Sequence, residues 1–512
     1  MGFLNIMSQM AAISEETNLL FLLIIIPLLF FILKQFKTSS SRTLPPGPYP
    51  WPLLGNILQI GKDNPHLSFT RFAETYGPLI SLKLGNQLLI VGSSHAAATE
   101  ILKIQDRNLS GRIVPHVAPA KSPLLNNLSL TWTIECNEYW RNLRTICRCE
   151  LFSGKSISSQ ACIREKKVSE MLELVGKMQG QMVKIRDLVS AVVFNMLSNV
   201  LLSRDLINLV DESLNGEVSK LVRDIMEVAS SPNISDLYPI LAPFDLQGLR
   251  KKCMGFLHRS NKMWEPIIKE RKEMRKIGTN ASTQQDFLDA LIDNGYPDAQ
   301  ISLLFLELFS AGTDTSSSTI EWTLAELIKN PRCMNIVKEE LAREISSQED
   351  DDGLVKESNL PNLSYLQACI KEALRLHPPA PLLLPHRAVE SCQVMKYTIP
   401  KDSMVLVNFW AIGRDPKNWE EPLVFKPERF ISTSSLDYKG NDLQFIPFGA
   451  GRRICPGLPM ASKHVPLVVA SLLHSFDWSL PHGMDPKDLD MSEKYDLTMM
   501  KELPLLLIPT TK

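Results

Sequence analysis

Charge of one sign, clustered cysteine and low-complexity tracts are all scarce in this chain of 512 residues. Lys and Arg number 55 against 56 Asp and Glu, a net charge of −1. A nearly neutral chain has no global electrostatic footprint for nucleic acid. The 24 glycines and 34 prolines are too few and too scattered for a fibrous or disordered chain. Nine cysteines, spread from Cys136 to Cys455, form no small disulfide framework. In a large chain they read as reduced thiols, most of them buried, in a cytosolic compartment. No internal repeat is present, and no G-x-G-x-x-G follows a strand, so the chain lacks a dinucleotide site of its own. What remains is a globular composition, 44% hydrophobic and 22% charged, long enough to bury a core without staples.

The exception to that composition is Leu19 to Leu33 (LLFLLIIIPLLFFIL), 15 apolar residues without a charge. As a helix it reaches about 22 Å, short of a hydrocarbon core about 30 Å thick. Thr17, Asn18, Gln35 and Phe36 extend it, and Lys34 can snorkel outward. Glu15 and Glu16 precede the run; Lys34, Lys37 and Arg42 follow it. The positive-inside rule then puts everything after it in the cytosol. A cleaved signal peptide would need a basic start, and residues 1–18 contain no Lys or Arg. Five N-x-S/T sequons (Asn108, Asn127, Asn233, Asn280, Asn362) would suit secretion, but such sequons arise by chance and a cytosolic body never meets the glycosylation machinery. The expected organisation is a single-pass anchor over 1–36, a Pro-rich link over 37–60 and a body over 61–512.

The link contains RTLPPGPYPWP (Arg42 to Pro52), which cannot be regular helix. Leu79 to Val91 alternates around Gly85-Asn86 and predicts a hairpin. Helical patterns cover Asn137 to Leu151, Arg164 to Met178, Ile185 to Leu202, Val218 to Ser230, Gly255 to Gly278, Asp286 to Asn294, Ile301 to Asn330, Cys333 to Ser347, Ser364 to Leu376 and Pro459 to Phe476. Short strands recur at Glu390 to Thr398 and Met404 to Asn408. The body is mainly α, with small β-sheets near its two ends.

One segment is built to hold a thiolate. Phe445 to Gly457 reads FIPFGAGRRICPG, with Cys455 among Gly449, Gly451 and Gly457 and just ahead of a helix. Glycines let backbone approach a bulky group and adopt positive φ. Loop N–H groups and a helix N-terminus lower a thiol pKa, and Arg452 and Arg453 add charge. The string Phe448-x-x-Gly451-x-Arg453-x-Cys455-x-Gly457 resembles the haem-binding signature of the cytochrome P450 family. Four further signatures of that family stand in its order: Trp140-x-x-x-Arg144, Ala311-Gly312-Thr313-Asp314-Thr315, Glu372-x-x-Arg375 and Pro427-Glu428-Arg429-Phe430. The resemblance runs from the Pro-rich link to the C-terminus and implies the cytochrome P450 fold, mainly α with small β-sheets.

Glu372 and Arg375 are three apart on one helix and can meet. The resemblance implies that Arg429 joins them in a structural, non-catalytic triad. It implies haem b, iron-protoporphyrin IX, with Cys455 as the metal ligand. Trp140, Arg144, His386 and Arg453 are expected at its two propionates, and Phe448, Gly451 and Gly457 around the thiolate. Ala311-Gly312 leaves room above the haem. Asp314 and Thr315 are expected to deliver protons and hold oxygen species. The implied pocket includes Val114 to Ala120, Phe305, Phe309, Ala311, Ala380, Leu382 and Leu383, apolar and of small to medium size.

The implied reaction is monooxygenation with O2 and electrons from NADPH. Those electrons come through a separate NADPH–cytochrome P450 reductase in the same endoplasmic reticulum membrane, and cytochrome b5 is a further candidate partner. The basic stretch Arg141, Arg144, Arg148, Arg164, Lys166, Lys167 would steer an acidic reductase surface. Leu44-Pro45-Pro46-Gly47-Pro48, Phe244-Asp245-Leu246-Gln247-Gly248-Leu249-Arg250 and Ala411-Ile412-Gly413-Arg414-Asp415-Pro416 resemble plant microsomal members. The second is similar to the geraniol 8-hydroxylase and abietane-diterpene hydroxylase group, which implies a terpenoid substrate, with alkaloids and phenolics as the alternative. An O2-independent haem-thiolate isomerase typically loses the acid–alcohol pair, and this chain keeps it. A non-enzymatic haem carrier or sensor would consume no NADPH.

Overall fold

A computed structural model describes residues 44–61, 64–117, 129–209, 220–221, 224–225, 227–228, 231–276, 285–345, 353–432 and 436–512. The anchor expected over 1–36, the start of the link, pocket positions 118–120, and most of the helix expected over 218–230 lie outside these residues.

The helices that build the site are α1 (Glu138–Ile146), α2 (Ala161–Lys177), α3 (Ile185–Leu202), α4 (Leu249–Lys276), α5 (Asp298–Lys329), α6 (Pro331–Ile345), α7 (Ser364–Leu376) and α8 (Leu458–Ser475). α5 is apolar nearly all round, as a central helix must be, and packs on α3, α4, α7 and α8. Its hydroxyl-rich run stays α-helical throughout. Thr315, Ser317, Thr319 and Thr323 each donate to the carbonyl four residues back, which satisfies them without leaving the helix. α3 meets the length and apolarity needed to cross a membrane, yet most of it is buried in the core. α1 ends at Ile146, and a widened five-residue turn, Cys147–Leu151, follows where the sequence pattern had continued the helix.

The main sheet contains β1 (Leu79–Leu84), β2 (Gln87–Gly92), β3 (Gly111–Arg112), β4 (His386–Arg387) and β5 (Met404–Val407), in the order β1-β2-β5-β4-β3. The predicted hairpin is β1–β2, antiparallel. β5 joins β2 in parallel and β4 antiparallel. In the last pair Arg112 stands opposite His386, which brings residues 274 positions apart side by side. Residues of the Pro-rich link lie along β1: Ser81 donates from its N–H to Pro46 and from its hydroxyl to Pro45. All nine cysteines are free thiols.

The N-terminus of α7 is capped from α6, because Glu340 accepts from the N–H groups of Tyr365 and Leu366. One turn from its other end, Glu372 is gripped by Arg375 through two 2.7 Å bonds. Arg429 donates to the same carboxylate at 3.0 Å, as does the Lys426 N–H at 2.9 Å. Arg375 also reaches the carbonyls of Gly413, Pro422 and Val424. A charge buried this completely is tolerable only when paired and hydrogen-bonded. The triad therefore ties residues 413–429, which have little regular structure, to α7. We predict that Arg429→Ala destabilises the fold by about 3–5 kcal/mol, the cost of leaving a buried carboxylate half-paired. A melting-temperature shift with accelerated haem loss would register it; unchanged values would show that the triad is dispensable.

Candidate active site

A cavity of about 470 Å³ lies between α5 and the Cys455 loop. Ala311, in the middle of a central helix, is nevertheless solvent-accessible, because the surface it shows belongs to this cavity.

The Cys455 loop is held by its backbone. The Cys455 N–H donates to Phe448 at 2.9 Å. Gly449 and Gly451 have φ of +70° and +68°. A Cβ on Gly451 would meet the Leu102 carbonyl oxygen at 2.3 Å and Asp106 Oδ1 at 2.7 Å. Gly457 is less constrained: its φ is −77°, and a Cβ on it would make an ordinary contact of 3.8 Å with the Cys455 sulfur. Phe448 packs edge-on to Tyr438. Burial pushes the Cys455 thiol up, while the N–H groups of Gly457 and Leu458 and the nearby Arg144 charge pull it down. A bound cation would complete what those donors begin, since a metal holds a thiol in its deprotonated form.

Cations converge on the same cavity. Arg144 donates to the Ile454 carbonyl, next to Cys455. Arg453 donates to Ser110 at 2.9 Å and to the carbonyl and hydroxyl of Thr133. The Arg453 guanidinium stands 4.6 Å from the centroid of Trp140, and that of Arg144 stands 5.7 Å from it. Trp140 itself donates to Leu130, so its ring N–H braces the loop over residues 129–133. Sequence reasoning missed Arg112. It lines the cavity, donates to Leu384 and Pro385, and leaves its Nε buried without a partner. Burial and the charges of Arg453 and Arg144 press it down to about 9. His386 is buried beside it. Because a carbonyl can only accept, His386 Nδ1 must donate to Leu109 at 2.7 Å. Burial and the charges of Arg112 and Arg453 lower His386 to about 3. Three guanidiniums crowd here, and none of them forms an ion pair with a carboxylate lining the cavity. An anionic occupant would stabilise such a cluster further. An iron porphyrin fits it: a thiol with aimed N–H groups on one side, and uncompensated cations with an orphaned donor at the edge for its two carboxylates.

On the α5 side, Thr315 lines the cavity and gives its proton to the Ala311 carbonyl at 2.7 Å. Asp314 is half-buried beside it and does not line the cavity. Thr313 Oγ1 is buried with no partner. Ser316 pairs at 2.8 Å with His464 of α8, a ring that burial and the Arg164 charge lower to about 3. Ala380 and Leu383 line the cavity.

Other expected pocket residues lie elsewhere. Phe305 and Phe309 face the opposite side of α5, where Phe309 stacks on Trp264 and Phe194 and Phe305 meets Trp264 edge-on. Helical periodicity explains the misplacement, because the face that carries Leu303, Leu306, Glu307, Ser310 and Ala311 is the one turned to the cavity. Leu382 belongs to the cluster under the main sheet. Val114 is buried without lining the cavity, whereas Pro115 and Val117 do line it. The expected docking stretch also divides. Arg141, Arg148 and Lys166 are exposed. Arg164 is buried against Glu357, and Lys167 is buried against Glu170 and Asp205.

Gly451→Ala combines a left-handed backbone, at about 1–2 kcal/mol for a residue with a Cβ, with collisions against Leu102 and Asp106. It should abolish most haem loading, and Gly457→Ala should cost less. Haem absorbance per protein would check the ranking; equal loading of both variants would contradict it.

The comparisons with known proteins agree with this geometry. The sequence profile described as Cytochrome P450 matches residues 45–508. The chain is similar to (S)-N-methylcoclaurine 3'-hydroxylase isozyme 1 of Papaver somniferum, 47% identical over 94% of this chain and 98% of that protein. It is also similar to corytuberine synthase of Coptis japonica, 45% identical over 96% and 99%. Among solved structures, a zebrafish cytochrome P450 with progesterone superposes with a TM-score of 0.73 at 25% identity, over 88% of this chain and all of that one. A thiol loop, a cation-ringed cavity and a family match across nearly the whole body converge on one conclusion: the chain belongs to the cytochrome P450 family, as a haem-dependent monooxygenase.

Proposed function

We propose that this chain hydroxylates an aromatic alkaloid, with O2 and with electrons that NADPH delivers through a separate reductase. The observation that carries the substrate class is the close likeness, over almost full length, to a hydroxylase of N-methylcoclaurine. This replaces the terpenoid expected from the Phe244 to Arg250 segment. In that segment Phe244 and Leu246 are exposed and Leu249 is buried; none of its residues lines the cavity, which its flank reaches at Cys253, Phe256 and Leu257. Its likeness to terpenoid hydroxylases therefore says little about what the cavity holds.

Haem, when bound, supplies O2 activation, with electron density donated from a thiolate. The protein's own work is positioning, water exclusion and proton handling. Cys455 is the proposed iron ligand. Arg112, Arg144, Arg453 and His386 are the proposed propionate partners. His386, neutral as it stands, would gain a proton when a carboxylate takes the place beside it. Thr315 presents its oxygen lone pairs to the cavity while its own proton stays on Ala311. It can therefore hold a water, or accept a proton and pass one on, at the point where oxygen is reduced. Asp314, outside the cavity wall, is proposed to refill that relay from the far side.

The proposed location is the endoplasmic reticulum membrane, with the anchor at residues 1–36 and the body in the cytosol. Exposed Tyr49, Trp51, Leu54 and Leu58 support it, together with exposed Ile240, Phe244 and Leu246. The two segments are joined by a Tyr238 hydroxyl donated to Leu53, and they offer one apolar face to lipid. Exposed Arg141, Arg148 and Lys166 are proposed to meet the reductase, and cytochrome b5 is proposed as a second donor.

Microsomes containing the chain and a reductase should oxidise benzylisoquinoline alkaloids and leave monoterpene alcohols untouched, read by mass spectrometry. The reverse selectivity would overturn the substrate class. In the same assay Thr315→Ala should keep the haem spectrum and NADPH consumption. Product per NADPH should fall about tenfold, a range open to one lost proton-handling group, and hydrogen peroxide should rise. Thr315→Ser should retain most of the coupling. Unchanged coupling in Thr315→Ala would remove the hydroxyl from the mechanism.

A further inference from the structure

Glu307 takes no part in holding haem or in the proposed proton relay. Among the described residues that line the cavity it carries the one carboxylate. It lies deep in the molecule and keeps accessible surface, and it counts among the cavity-lining residues. Oε1 accepts from the Ser129 hydroxyl and, at 3.3 Å, from the Thr131 N–H. Oε2 accepts from the Leu130 N–H at 2.8 Å. A carboxylate offers about four acceptor sites, so Oε2 retains one. No Lys, Arg or His among the described residues comes within ion-pair distance of it. Arg453 acts on it only at a distance, and burial pushes Glu307 up to about 7 despite its three donors.

This is an unusual combination. Three donors aimed at the two oxygens are a site for an anion, not for a neutral acid. A buried anion without a counter-cation is expensive. The cations that could serve are oriented elsewhere: Arg453 is spent on Ser110 and Thr133, and Arg112 on Leu384 and Pro385. A positive group that enters the cavity and reaches Oε2 would complete the pairing that these cations leave open. Most of the cavity lining is apolar, with Leu303, Leu306 and Phe256 among it, so the rest of that ligand is hydrophobic. A hydrophobic amine, protonated at neutral pH, meets both demands. A neutral terpenoid meets only the second.

We propose that Glu307 is the amine-recognition residue of this cavity. The substrate binds as its ammonium ion, the N–H donates to Oε2, and the carbon to be oxidised is held at least one helical turn away, toward Ala311 and Thr315. This rests on the alkaloid reading and deepens it. Glu307 and Ala311 are four residues apart on one face of α5, about 6 Å along its axis. Thr315 lies a further turn on. Anchoring the nitrogen at Glu307 therefore withdraws the carbons bonded to it from the oxidation point and directs attack to a ring remote from the amine. The predicted product is a phenol rather than an N-dealkylated amine.

Glu307 also straps the segment Ser129 to Thr131 to α5, so the test must separate charge recognition from strapping. The full chain in reductase-containing microsomes is titrated at neutral pH, by haem absorbance, with four probes. These are an N-methylated tetrahydrobenzylisoquinoline, its analogue with N-acetyl in place of N-methyl, a terpenyl dimethylamine and its analogue with one N-methyl replaced by N-acetyl. Each amine should bind at least about tenfold more tightly than its amide, a modest return for completing a buried ion pair. E307Q should bring the two Kd values together while the haem spectrum is kept. S129A loosens the strap, leaves the charge in place, and should keep the amine preference. An amine-to-amide ratio near one in the wild-type protein would overturn the proposal without any substitution, so it stays decidable if E307Q fails to load haem. A ratio unmoved by E307Q, or one lost equally in S129A, would also overturn it. Alkaloid turnover with a Glu307-independent ratio sinks this inference alone. A Glu307-dependent ratio without alkaloid turnover sinks the alkaloid reading alone.

Discussion

A carboxylate buried between two guanidiniums holds the proximal half of this molecule in place. Glu372 has no solvent contact, and Arg375 and Arg429 approach it from α7 and from the segment after Pro427. Arg375 then spends its remaining donors on backbone carbonyls between Gly413 and Val424. That region has almost no regular structure to stabilise it. The triad supplies a fixed point just upstream of the Cys455 loop, so the position of the thiol depends on a carboxylate, Glu372, that is more than 80 residues away in sequence. A buried ion pair is a poor source of net stability. Here its effect is to specify one arrangement of a loop that could adopt many.

The distal half is organised by α5. Its hydroxyl-bearing residues would destabilise an exposed helix, but within the core Thr315, Ser317, Thr319 and Thr323 each find a carbonyl one turn back. Thr315 keeps its lone pairs toward the cavity while its proton is occupied. The same helix sorts its faces by period. The aromatic side chains of Phe305 and Phe309 pack away from the cavity into the core with Trp264 and Phe194. Glu307, Ala311 and Thr315, four apart, face the cavity. The roles proposed for them, amine binding, room for oxygen and proton handling, thus lie along one stripe of one helix.

Local signals were legible in the sequence. The boundaries of α3 and α7 follow from apolar periodicity alone, and the β1–β2 hairpin from its Gly85-Asn86 turn. The Cys455 loop was legible because glycine, arginine and cysteine stand within ten residues of one another. Groups whose meaning comes from distant partners were not. Arg112 is an ordinary arginine until the β3–β4 pairing sets it against His386. Glu307 is an ordinary helix residue until the loop at Ser129 to Thr131 closes on it. Phe305 and Phe309 were misplaced because their assignment rested on family position rather than on which way α5 turns. The basic stretch from Arg141 to Lys167 looked continuous because exposure is invisible in sequence; Arg164 and Lys167 are buried against acids.

The proposed chemistry depends on the state of one sulfur. Burial raises the Cys455 pKa, while the loop's N–H groups and the Arg144 charge lower it; a bound metal would complete the shift to the thiolate. The direct measurement is the absorbance of the reduced, carbon-monoxide-bound protein. The wild-type chain should show the red-shifted Soret band of thiolate ligation. Cys455→His should lose that band while retaining some haem, because imidazole donates less electron density. A wild-type protein without the band, or a Cys455→Ala variant that keeps it, would contradict the assignment of Cys455 and the chemistry built on it.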